Sequence, residues 1–264
     1  MNLKAIGMFD SGIGGLTVYR AIKRLLPNEK IVYLGDTARL PYGSKSAETI
    51  VRFSDENTRF LLKKNVKIIV VACNSSSSYA LTHLQNNFAI PIVGVIEPGV
   101  EAALQVSRRR IGVIGTTATI MSGAYRNAIV QRSPETEVVS RDCPLFVPLV
   151  EEGWISHPVT RQVIEEYLLP LKQQGIEALV LGCTHYPVLK EVIAAVLGPT
   201  IPLIDSAETT AARVGSVLRT LDWQNNSGQA QEDEFYVTDF VERFKKVGAI
   251  FLNHAIEKVE VSQI

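Results

Sequence analysis

Along most of this chain, short apolar runs rich in β-branched residues alternate with longer stretches in which apolar positions recur every three or four residues. The short runs predict strands at 5–9, 31–34, 68–72, 92–95, 111–114, 138–140, 178–182, 203–204 and 235–237. The longer stretches predict helices at 16–26, 47–64, 158–174 and 188–197, and Pro158 and Pro187 suit a first helical turn. The strand runs are apolar throughout and do not alternate, so the sheets they form should be parallel and covered on both faces. The fold class this implies is α/β.

One unit of that pattern recurs. Setting Cys73 against Cys183, 110 residues later, pairs "LLKKNVKIIVVACN" with "LKQQGIEALVLGCT". A polar helix end, a turn residue, an apolar strand, a small residue and a cysteine all coincide. Further on, "IPIVG" at 90 pairs with "IPLID" at 201, and upstream "IGMFDSG" at 6 pairs with "IGVIGTT" at 111, at a slightly smaller offset. Duplication of one α/β unit is the simplest account. It gives two pseudo-symmetric α/β domains with mostly parallel sheets and one cysteine of the pair in each. The expected domains are 1–97 and 98–207; residues 208–264 are too few for a core of their own and are expected to return to the first domain. Ligands of open α/β sheets bind beyond the carboxyl ends of the strands, so the active site is expected in the cleft between the domains.

Composition narrows the partners more than the fold. The 264 residues suffice for a substantial core, and 46% hydrophobic with 20% charged is ordinary for a soluble globular chain. Lys plus Arg and Asp plus Glu both number 27, and this zero formal charge offers no general attraction to nucleic acid or to an anionic membrane. The basic run Arg108–Arg110 closes a helical stretch, where cations complement the helix dipole. No apolar run approaches the ~20 residues of a membrane span, and Asp10 breaks the first apolar run too early for a signal peptide. A cytoplasmic location is expected, with the three cysteines as free thiols.

Four stretches at predicted strand ends could carry chemistry: "FDSGIGG", "LGDTARLPYGS", "ACNSSS" and "GCTHYP". In the first, the glycines invite a dinucleotide reading, but Thr17 stands where a third glycine should, and Asp10 would face a pyrophosphate. An acid beside a serine and a glycine turn is better suited to an ammonium group. Each of Cys73 and Cys183 ends a strand just before a helix, where the dipole should lower a thiol's pKa from about 8.5 toward neutrality. Asn74 and Ser75 on one side, Thr184 and His185 on the other, supply hydrogen-bond partners. No Cys-x-x-Cys or His-x-x-x-His occurs, so no metal site is expected. A single-nucleophile cysteine hydrolase would leave the second thiol unexplained. A reversible dithiol bridge, or simple ligand binding, is a second use for the same pair. Two thiols on opposite sides of a bound molecule account for the repetition best: one removes a proton from carbon, the other delivers one to the opposite face, and the centre inverts. Cys143 lies outside the repeat and reads as core, and Asp36 could hold a turn as readily as serve a site.

These stretches, with "VPLVEEG" at 147, resemble the cofactor-independent glutamate racemases of the aspartate/glutamate racemase superfamily, in the same order and over nearly the whole chain to about residue 220. The related aspartate racemases carry an acid where His185 stands. The resemblance implies that Cys73 and Cys183 are the two acid/base thiols, that Asp10 and Ser11 contact substrate and help activate the first, and that His185 assists the second. It further implies substrate contacts from Tyr42, Gly43, Asn74, Ser75, Thr184 and His185, with Glu152 near the site. The substrate implied is L- or D-glutamate, the product role D-glutamate for bacterial peptidoglycan, the cofactor none, and the assembly a homodimer. One departure is Ser75, where the family usually has threonine; the hydroxyl remains and a methyl is lost. The last forty or so residues match no motif and are expected to be structural.

Overall fold

The computed structural model describes residues 2–229 and 231–264. Met1 and Ala230 lie outside the described residues. The strands are β1 (Ala5–Asp10), β2 (Ile31–Gly35), β3 (Val66–Val71), β4 (Ile92–Gly94), β5 (Arg110–Gly115), β6 (Glu137–Asp142), β7 (Ala178–Gly182), β8 (Leu203–Ile204), β9 (Glu234–Val237) and β10 (Glu260–Val261). They form a six-stranded sheet of order β10-β9-β2-β1-β3-β4 and a four-stranded sheet of order β6-β5-β7-β8. Every ladder is parallel. Strands β1, β2, β3 and β7 are buried at every position, which is why their sequences run apolar without alternation.

The repeat appears as topology. The order β2-β1-β3-β4 in one sheet is reproduced as β6-β5-β7-β8 in the other. Even single backbone bonds coincide: Asp36 N–H donates to the Asp10 carbonyl at 3.1 Å, and Cys143 N–H donates to the Gly115 carbonyl at 2.8 Å. Residues after Ala207 form a helix (Ala207–Thr220) packed on the helix Leu16–Leu25, and the chain then returns to the first sheet as β9 and β10.

Local signals set the helix ends. Ser46 caps Ala47–Lys63 by accepting from Thr49 N–H at 3.3 Å, and the His157 ring caps Pro158–Gln173 through Val159 N–H at 3.2 Å. The helix expected from Val188 begins at Lys190, because Tyr186–Leu189 winds as a tighter 3₁₀ turn. One apolar cluster runs from β1 and β3 through Leu16 and Ile22 to Leu181, Tyr186, Phe146 and Phe244, so the two sheets share a core rather than standing apart.

Candidate active site

The carboxyl ends of the central strands deliver both thiols to one small cavity. From the first sheet it is lined by Ser11, Leu40, Pro41, Tyr42, Gly43, Cys73, Asn74 and Ser75. From the second come Thr116, Val147, Cys183, Thr184 and His185. Cys73 and Cys183 are only 5% and 6% exposed. The two sides touch closely: a side chain at Gly14 would collide with Thr184 and His185, and one at Gly43 with Thr116. Thr17 Oγ1 also donates to the Thr184 carbonyl at 3.4 Å.

Asp10 lies just behind the cavity wall, fully buried. Its carboxylate accepts from Gly12 N–H at 3.0 Å and from Thr184 Oγ1 at 3.4 Å. Burial pushes its pKa up, against the opposing pull of the His185 charge and of the backbone donors at Gly12 and Gly15. Tyr33 fixes this glycine turn by donating to the Gly12 carbonyl at 2.9 Å.

Cys73 is the N-cap residue of a short helix, Asn74–Tyr79, as the sequence suggests. The expected fall in its pKa does not occur. Burial, then the Asp10 charge, push the thiol up to about 11, and the donors at Ser76 and Ser11 recover only part of this. Desolvation of the sulfur outweighs the dipole of a six-residue helix.

Cys183 has different company. Its Sγ lies 3.9 Å from His185 Nδ1, and His185 Nε2 meets Glu151 Oε1 at 2.9 Å. Burial draws the imidazole down, but its hydrogen bonds to Cys183 and Glu151 outweigh this and carry it up to about 10. At neutral pH His185 is therefore an imidazolium held between a carboxylate and a sulfur.

Glu152, the acid expected at the site, is instead exposed and paired with Arg243 at 3.0 Å. Its neighbour Glu151 is the buried one. The reason is helical phase: in Phe146–Glu151, Val147, Val150 and Glu151 share the inward face, and Glu152 turns away from it. Tyr42 lines the cavity, but its hydroxyl points away, donating to Asp36 and accepting from Asn57 Nδ2 at 3.0 Å. Asp36 also accepts from Arg39 Nε at 2.6 Å and Thr238 Oγ1 at 3.0 Å, so it braces the wall.

Three further residues brace the polar lining, and of them Thr116 reaches the cavity itself. Ser75 Oγ shares hydrogen bonds with Thr116 Oγ1 at 2.9 Å and Thr119 Oγ1 at 3.3 Å, and Tyr125 O–H donates to Asn74 Oδ1 at 2.8 Å. Thr116 was within reach of the repeat, which aligns it with Ser11. The repeat also exposes what differs between the halves. Asp10 corresponds to Gly115, Asn74 to Thr184 and Ser75 to His185, so equivalent backbones present unequal chemistry. Among the described residues, no group of three or more His, Cys, Asp or Glu side chains is arranged to hold a metal ion. No helix among them is long and apolar enough to cross a membrane.

Known proteins with this combination can be compared directly. Residues 6–214 match the Asp/Glu/hydantoin racemase family. The chain is 49% identical over 253 residues to a glutamate racemase of Geobacter metallireducens, covering 96% of this chain and 94% of that one. Among solved structures, glutamate racemase isoform RacE1 of Bacillus anthracis superposes with a TM-score of 0.96 at 37% identity, over 100% of this chain and 99% of that one. Glutamate racemase of Francisella tularensis, in complex with D-glutamate, superposes with a TM-score of 0.94 at 41% identity, over 100% and 98%.

Proposed function

The chain belongs to the Asp/Glu/hydantoin racemase family, and on that premise we propose how its cavity divides the work between two thiols. The reaction is the isomerisation of L-glutamate to D-glutamate and back, in the family's role of supplying D-glutamate to peptidoglycan. The observation that carries the mechanism is the pair of buried thiols at equivalent strand ends, facing one cavity from two sheets of the same topology.

One thiolate takes the α-proton, so that the C–H bond breaks, an S–H bond forms and the electron pair passes to the α-carbon and its carboxylate. The opposing thiol then gives its proton to the other face. Each turnover leaves the protonation states exchanged, ready for the other enantiomer. A thiolate whose conjugate acid sits at about 11 is a stronger base than an ordinary one. Asp10, raised by the same burial, is the group placed to relieve Cys73 of its proton. His185, as an imidazolium, is placed to hold or return the proton of Cys183. Ser11, Tyr42, Gly43, Asn74, Ser75, Thr184 and His185 form the substrate wall, joined by Thr116. Glu151 takes the part expected of Glu152.

This mechanism requires neither pyridoxal phosphate nor metal. The chain is read as two domains, 1–97 with 208–264 and 98–207, a division the two separate sheets support, and the protein as a cytoplasmic homodimer acting on a small molecule alone. The test follows the α-hydrogen of L-glutamate and of L-aspartate in heavy water with purified protein and no added cofactor. Deuterium uptake with loss of optical rotation for glutamate is expected. Exchange with aspartate alone would move the substrate, and exchange with neither would sink the reading.

A further inference from the structure

We propose that Arg243, on the C-terminal helix, is a positioning residue for the second thiol: it fixes the Glu151 carboxylate that holds His185 against Cys183. The helix Val241–Leu252 follows β9 on the first sheet, and its inward face packs Phe244 on the Tyr33 ring at 5.9 Å and Phe251 edge-on to the His185 imidazole at 5.7 Å. From its first turn the Arg243 guanidinium reaches the other sheet's side. Nη2 lies 3.4 Å from Glu151 Oε2 and 3.0 Å from Glu152 Oε1. The remaining oxygen of Glu151, Oε1, is the one 2.9 Å from His185 Nε2.

A carboxylate with one partner can turn either oxygen to it, or rotate out of line. A guanidinium 3.4 Å from Oε2 biases it toward the orientation that keeps Oε1 on the imidazole. An outer partner that orients a functional histidine in this way is commonly worth ~10–100-fold in activity. Arg243 also sets a positive charge beside Glu151, which is nearly buried, 4% exposed at its side chain. Glu152 holds the guanidinium from its exposed side, which gives that residue a use away from the substrate. The helix arrives from the first sheet's side, whereas Glu151 and His185 belong to the second. The acid–base set of Cys183 is therefore complete only when the two halves are together. Residues 241–252, which match no motif, meet the acid–base set through Arg243 at Glu151 and Phe251 at the imidazole.

The inference rests on the two-thiol reading, and its test separates the two. The charged and titratable groups facing Glu151 and His185 are Cys183, Asp10, Tyr33 and Glu152, with Glu242 and Lys246 in the groove outside. Racemisation is measured against pH for the parent, Arg243→Met and Arg243→Lys, each checked for fold by circular dichroism, with Arg243→Gln in reserve if the Met variant unfolds. Alongside, the pH dependence of Cys183 alkylation by iodoacetamide is read by peptide mapping. Arg243→Met should lower kcat/KM about tenfold and change the shape of its pH profile, because the Glu151 carboxylate is no longer held in line with the His185 imidazole. Its Cys183 alkylation profile should move as well, and Arg243→Lys should recover most of both. A folded Arg243→Met variant with unmoved profiles would overturn the proposal. So would a loss confined to KM that disappears at high ionic strength, since that describes electrostatic steering. A parent that exchanges no α-hydrogen refutes the racemase reading itself.

Discussion

Cys73 and Cys183 share a strand-end position yet differ in every neighbour that matters to a proton, and this is testable residue by residue. Serine in place of either thiol should reduce racemisation by ~10²–10⁴-fold, the usual range for one acid–base group. Circular dichroism should stay unchanged, with both directions followed by polarimetry. Asp10→Asn removes the charge that, after burial, contributes most to raising Cys73. The pH midpoint for alkylation of Cys73 should then fall below about 11; an unmoved midpoint would assign the whole shift to burial. His185 stands at about 10 in the folded chain against 6.5 for an ordinary imidazole. Its contribution to stability is fully present below pH 6.5 and is lost as pH rises toward 10. The thermal midpoint of the parent should therefore fall across that window, and His185→Gln should flatten the fall. The thiols, Asp10 and His185 were legible in the sequence because each sits in a short polar motif at a strand end. Glu151 was not read, because two adjacent glutamates look alike until the phase of Val147 and Val150 is counted.

At the scale of elements, strands read well where both faces are covered and poorly where charge intrudes. β3 begins at Val66, two residues ahead of its apolar run, because Lys67 inside it looks like loop. That ammonium is fully buried, 2.6 Å from Glu29 Oε2, and donates to the carbonyls of Asn2 at 2.8 Å and Trp223 at 2.7 Å. Lys67→Met should leave Glu29 buried and unpaired, at a cost of ~3–5 kcal/mol in urea unfolding. Adding Glu29→Leu should return most of it. β10 escaped notice for the opposite reason: Glu260 and Val261 form a two-residue exposed edge, with no covered face to impose a pattern.

For the molecule as a whole, the duplicated architecture was legible from one pair of cysteines and their flanks, since two copies of a sheet must repeat the strand that ends at the site. The fit between the copies was not, because it depends on which residues are absent. Gly43 has room for no side chain against Thr116, and Gly43→Ala should hold the halves apart. Its expected signature is a KM raised about tenfold or more with a smaller loss of kcat, as for weakened ground-state binding, measured by polarimetry at saturating and limiting substrate. The mismatch of Asp10 with Gly115 and of Ser75 with His185 has a consequence of another kind. Mirror-image substrates have equal free energies, so the equilibrium constant is one, and microscopic reversibility compels kcat/KM to be identical for the two enantiomers. Unequal halves cannot favour either hand at low concentration. Whatever Asp10 and His185 do differently emerges only under saturation, as a difference in how long each enantiomer occupies the enzyme.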